Sequence, residues 1–386
     1  MMFTWFTEAS DMNPDPQSGA RITRLTTAVC HNNNIYCEQP YCSKDGNRVT
    51  IVRQSGMDSC RTTQRMLLVT DLTTLLSTLV EECIDDMPCT AAWSGYIYYM
   101  RQGHELVRLS LDTLDKEIIS SSVTFPREMT LSSVSPDQRY LVGQAVLSGP
   151  TIGVVRMDLE SGEWEVIFEH PEIVNTHLQY NPVTGKDLMV QHNRGSKMAP
   201  DGTITSPGDS EQGTTLFVLD AEGGNLRPVP AGEPVTAGLT GHECFVADTG
   251  RVAFTVLASA DGSLDARYPQ GNLFTAVPGD EKPTVFATPD HYFNHLCVSR
   301  CGRYFVCDSY PDGLPGRTPL VVGNFETGKY AELLEDMPGI LAGAQYTHPH
   351  AYFTTDTRHV IYNADPRGVP HVFKAEIPDG FLANLD

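Results

Sequence analysis

The chain has 386 residues, 40% of them hydrophobic and 19% charged, enough apolar content for a sizeable core. Its formal net charge of −21 argues against nucleic acid and against anionic membranes as partners. An acidic substrate would also be repelled at long range, so a site for one needs local positive charge from a metal or an arginine.

The first eight residues, Met1 to Glu8, have no basic start and no long apolar run. The expectation is no signal peptide and no membrane span. Residues 21–26 read as a strand. The ten cysteines form no CxxC pair and are scattered along the chain, which fits reduced thiols and a cytoplasmic location.

From Ser43 onward one pattern recurs. Polar turns ending at Gly46, Gly95, Gln138, Gly185, Gly250, Gly302 and Thr357 each lead into a β-rich run, such as RVTIV, YIYYM or RYFVCD. Each run is followed by a second strand and a second turn, as in LVRLSLDTLDKE and GVVRMDLESGEWEVI. There are seven such units, about 40–65 residues apart. That spacing, with several short strands per unit, predicts an all-β, seven-bladed β-propeller spanning 1–386 as one domain. Residues 21–26 are expected to supply the outer strand of the last blade and close the ring. The one stretch with a helical look is Leu72–Glu82.

In a propeller the innermost strand of each blade precedes the first turn of its unit and lines the central channel. His177, His242, His295 and His350 lie seven or eight residues before Gly185, Gly250, Gly302 and Thr357. His31 precedes the first unit at a longer offset. Histidines recurring at one register on blades 4 to 7 converge on the channel, and converging imidazoles suit a metal. His348 and His350 flank Pro349 in a strand-like run, so they are expected on one face of an edge or bulged strand. No G-x-S-x-G elbow, H-E-x-x-H helix or P-loop competes with this reading. Asn193-Arg194-Gly195-Ser196-Lys197 is a loop with two cations after a blade 4 strand.

The chain resembles the oligogalacturonate lyases, cytoplasmic seven-bladed propellers that act on short pectin fragments. The resemblance is carried by Cys30-His31-Asn32-Asn33, Tyr98-Tyr99-Met100-Arg101, VVRMDLESGE, Thr176 to Pro182, Gly241-His242-Glu243, Asn294-His295-Leu296 and Gln345-Tyr346-Thr347-His348-Pro349-His350. It implies a manganese ion held by His295, Gln345, His348 and His350, and a catalytic base at His242. Strand geometry pairs His348 with His350 separately, but points Gln345 to the other face unless the backbone bulges. Three imidazoles also suit Zn2+, while an added amide oxygen leans towards Mn2+.

The position matching the family's substrate-contacting arginine is Thr215. Arg194, Lys197 and Arg101, with His31 and His177, are therefore the candidates for holding substrate. The expected reaction is β-elimination on short uronate oligosaccharides, giving unsaturated or keto-deoxy monomers. Two other readings stay open. One is the same chemistry on a different uronate or a keto-glycoside; the other is a non-catalytic TolB- or WD-like binding propeller.

Overall fold

The computed structural model describes residues 3–55, 64–121, 129–147, 151–199, 203–206, 213–257, 268–309, 317–337, 348–366 and 368–386. Seven antiparallel sheets form the seven blades of a propeller, with one small extra hairpin pairing Lys197–Met198 with Ile204–Ser206. The first turn of every unit brings its chain round through a left-handed residue. Gly46, Gly95, Gly185, Gly250 and Gly302 have φ of 62 to 77°, and Gln138 and Thr357 have 61° and 59°. A left-handed turn residue is cheap for glycine, which is why the repeat is legible in the sequence.

Inside the turns, the second and third strands of each blade are buried on both faces. Val252–Val256 and Leu320–Asn324, for example, are buried throughout. Their apolar side chains pack blade against blade. Leu216, Val218 and Phe254 join blades 4 and 5, while Cys244, Phe293 and Phe305 join blades 5 and 6. The largest cluster runs through blades 6, 7, 1 and 2, from Val322 and Tyr352 to Ile51 and Val107. Nine cysteines are described and all are free thiols.

The ring closes as the sequence suggests. Ile22–Arg24 pairs with His371–Glu376, the third strand of blade 7. The N-terminal segment goes further than expected, because Trp5–Thr7 adds an outer strand to blade 1 against Leu76–Ile84. The stretch 72–82 is thus no helix: an Asp71–Leu75 turn leads into strand Leu76–Ile84. Its i, i+4 leucines mimic a helix, but pairing on both sides, with 65–71 and 5–7, wins over local preference. The one helix among the described residues is the five-residue Phe381–Leu385.

Candidate metal centre and active site

Backbone irregularities aim the channel histidines. In blade 6, Phe293 pairs with Ser309 and Leu296 with Cys307, so Asn294 and His295 together face Asp308 in a bulge. In blade 5, the register breaks between Leu239 and Glu243, placing Gly241 and His242 in a bulge with Gly241 at φ 93°. Such bulges re-aim side chains. His177 and His350 lie just ahead of their strands, not within them, each left-handed at φ 42° and 40°. The expected strand at His348-Pro349-His350 is therefore corrected, since strand structure starts at Tyr352. Proline and a left-handed histidine interrupt the ladder, and Asn34 and Asn363 satisfy the freed carbonyls of His350 and Pro349.

The two imidazoles nonetheless converge. The ring of His295 lies 5.0 Å from that of His348 and 4.6 Å from that of His350, and the latter two are 5.8 Å apart. One ligand nitrogen from each lies within 4.8 Å of the others, spacing that suits a single divalent cation. His295 is tied down behind: its backbone N–H donates to Asp308 Oδ1 at 2.7 Å and its Nδ1 lies 2.9 Å from Asp308 Oδ2. A carboxylate accepts, so Nδ1 carries the proton and Nε2 presents a lone pair. That Nε2 and the Nδ1 of His348 are buried with no hydrogen-bond partner among the described residues. Orphaned buried nitrogens of this kind fit a cation. Burial and the neighbouring His295 lower the pKa of both His348 and His350, favouring the neutral form that ligates. Gln345, the fourth expected ligand, lies outside the described residues.

His242 stands beside this trio, its ring 4.0 Å from that of His295. Its Nδ1 is 3.0 Å from the hydroxyl of Tyr36, whose ring also packs 4.5 Å from His350. Burial, reinforced by His295, His177, His350 and His348, drives His242 well below the ordinary imidazole pKa. Its neutral form is favoured.

A second group has the opposite character. Glu38, His177 and Glu243 place one ligand atom each within 4.8 Å of one another. His177 Nδ1 makes a close ion pair with Glu38, and its Nε2 is 2.8 Å from the Asn175 amide. Burial alone would lower His177, but the Glu38 carboxylate outweighs it and holds the imidazole up at about 9. Burial also raises Glu38. We place the shared proton on His177, where the Glu38 carboxylate attracts it. Glu243 is fully buried, neither carboxylate oxygen has a partner among the described residues, and burial pushes it up to about 8.

A cavity of ≈ 500 Å³ opens from this channel towards blades 1 to 3, lined by His177, His350, Tyr36, Glu38, Gln54, Arg65 and Gln144 among others. That is within the range of small-ligand sites, ~300–1,000 Å³. The other expected substrate residues are scattered. His31 begins the innermost strand of blade 1, opposite Gln54. Arg194 and Lys197 follow strand Asp187–His192, near a separate His170–Glu172–His192 cluster. Arg101 is held by Glu81 at 3.0 Å and Glu105 at 2.7 Å, a clamp between blades 1 and 2. Thr215 is buried, paired with His192.

Sequence reasoning missed Tyr36, Glu38, Asp308 and Arg65. Tyr36 and Glu38 sit in the polar run that follows His31. Asp308 ends RYFVCD, one strand from His295. The readable signal there was a carboxylate directly across a bulge from a channel histidine.

No protein-family model matches the chain. It is 23% identical over 404 aligned positions to an oligogalacturonate lyase of Dickeya dadantii, covering 95% of both chains. It is 24% identical to an oligogalacturonide lyase of Pectobacterium atrosepticum, again over 95% of each. Among solved structures, an oligogalacturonate lyase in complex with manganese superposes with a TM-score of 0.71 at 19% identity, covering 98% of this chain and 99% of that one. The oligogalacturonate lyase of Vibrio parahaemolyticus gives 0.68 at 19%, covering 99% and 100%. Over nearly its whole length the chain is similar in sequence to these oligogalacturonate lyases, and it shares the propeller fold of their solved structures.

Proposed function

We propose that the protein is a carbon–oxygen lyase that cleaves short oligogalacturonates in the cytoplasm by metal-assisted β-elimination. The observation that carries this is the pairing of a three-imidazole centre (His295, His348, His350) with an adjacent neutral imidazole, His242. Gln345 would complete the ligand set on resemblance. The mixed nitrogen and amide-oxygen donors favour Mn2+, with Zn2+ the competitor. When bound, the cation supplies the positive charge that offsets the substrate carboxylate and makes the adjacent C5 proton removable.

The protein's own residues do the rest. Tyr36 accepts from His242 Nδ1–H and so leaves Nε2 with its lone pair. His242 takes the C5 proton, the freed electron pair forms the C4–C5 alkene, and the C4–oxygen bond to the neighbouring sugar breaks. The departing oxygen needs a proton, and His177, held protonated by Glu38, flanks the base with its ring 6.5 Å away. The surrounding cations also answer the charge problem posed by a −21 chain taking an anionic substrate.

The deciding experiment is incubation of the purified protein with digalacturonate, with and without added Mn2+. Alkene absorbance and product mass are the readouts. Manganese-dependent cleavage to keto-deoxy monomer is expected. Metal binding without cleavage would send the search to other uronates or keto-glycosides, the reading favoured by Thr215 in place of the family's arginine. Neither metal nor cleavage would leave a binding propeller.

A further inference from the structure

Each sugar of an oligogalacturonate carries its own carboxylate, so a site that recognises two sugars needs a second cationic group away from the metal centre. Arg101 is already committed to Glu81 and Glu105. One arginine lines the cavity that holds His177 and His350, namely Arg65.

Its place follows from strand register. On blade 1, His31 lies opposite Gln54, and Gln54 lies opposite Arg65. Residues directly opposite across antiparallel strands share a face, so these three side chains form a row leading outward from the channel. Gln54 and Arg65 both line the cavity, and Gln144 of blade 3 does so from across it. Arg65 Nη1 is anchored by the backbone carbonyl of Asp85 at 2.9 Å, and Asp86 is a loose ion partner at 3.9 Å. The anchor holds one end of the guanidinium. Its Nε, by contrast, is buried with no hydrogen-bond partner among the described residues. A buried guanidinium N–H without an acceptor is costly, and a carboxylate is the acceptor that the fork of an arginine fits best.

We propose that Arg65, flanked by Gln54 and Gln144, is the subsite for the carboxylate of the second uronate, the sugar not activated at the metal centre. It makes the protein selective for a substrate with acid groups on adjacent sugars. This rests on the lyase reading for its substrate, but the binding itself is separable.

The test compares wild type with Arg65→Met and Arg65→Lys, each Mn2+-loaded, on digalacturonate and on its derivative methyl-esterified at the non-reacting sugar. The expected result for Arg65→Met is KM raised about tenfold or more with kcat changed far less. Discrimination against the ester should collapse towards unity, and Arg65→Lys should restore part of it. Unchanged circular dichroism and metal stoichiometry would show that the variants are folded. Unchanged KM and ester discrimination would overturn the proposal. Should wild type not turn over, the lyase reading fails by itself, and calorimetric binding of digalacturonate decides the subsite. Binding lost on Arg65→Met upholds it; binding indifferent to Arg65, or no binding at all, overturns it.

Discussion

Two regions of one channel hold the same imidazole in opposite states. On the blade 5 to 7 side, His242, His348 and His350 sit among other imidazoles, His350 buried and the other two partly so, and are pushed down. On the other side, His177 is paired with the Glu38 carboxylate and is held up at about 9. Burial is the largest influence on both, and it lowers both. The neighbours decide the outcome: an imidazole cannot relieve a buried imidazolium, whereas Glu38 can. A channel can therefore carry a neutral base and a protonated acid a few ångströms apart without changing residue type.

The hardest way to break the comparison is to remove the base. His242→Ala should lower turnover about 10²–10⁴-fold while leaving metal stoichiometry intact, measured by alkene formation beside elemental analysis. His348→Ala, by contrast, should lose metal and turnover together. Next comes the support behind the centre. Asp308→Asn keeps the shape but weakens the hold on His295 Nδ1–H, and should cost about 10–100-fold in metal affinity by competition with a chelator.

The other side is probed through protons, in metal-free protein. Glu38→Gln removes the group that holds His177 up, so its titration, followed by NMR, should fall from about 9 to below the ordinary imidazole value. The stability consequence has a sign. A folded-state pKa raised for His177 means the folded chain binds the extra proton, so that contribution is full below about pH 6.5 and is lost as pH rises through about 9. Wild type should therefore lose stability across that window and Glu38→Gln should lose less. The lowered histidines act oppositely. Their contribution is present above about pH 6.5 and is lost as pH falls towards their depressed pKa values. The smallest effect on turnover is expected for Glu243→Gln. A carboxyl pushed up to about 8 stays largely protonated in the folded chain at neutral pH but ionises in the unfolded one, so the amide should match wild type near pH 4.5 and become the more stable of the two as pH rises towards about 8. A large loss at pH 7 would sink the view that Glu243 is neutral.

The propeller was legible because its first turns need left-handed residues, and five of the seven use glycine to supply them. The clustering of the channel histidines was legible in part. Register placed His242, His295 and His350 on successive blades, whereas the pairing of His348 with His350 assumed a strand that begins only at Tyr352. The left-handed His350 brings them together by another route. The carboxylates were hidden because their roles depend on neighbours far away in sequence. Glu38 meets His177 across 139 positions, and nothing local to either marks the pair. Leu76–Ile84 was obscured for a similar reason, since only its pairing partners reveal it as a strand.

The seam of the ring has a consequence for biosynthesis. Blade 7 takes its fourth strand, Ile22–Arg24, from a segment made early and the strand beside it, His371–Glu376, from one made long afterwards. His348 and His350 lead into this sheet. A chain emerging from the ribosome could assemble blades 2 to 6 one after another and still possess only one of the three clustered imidazoles, His295. A cation held by all three would be captured only after blade 7 has formed, so a chain stalled before that blade would not sequester metal.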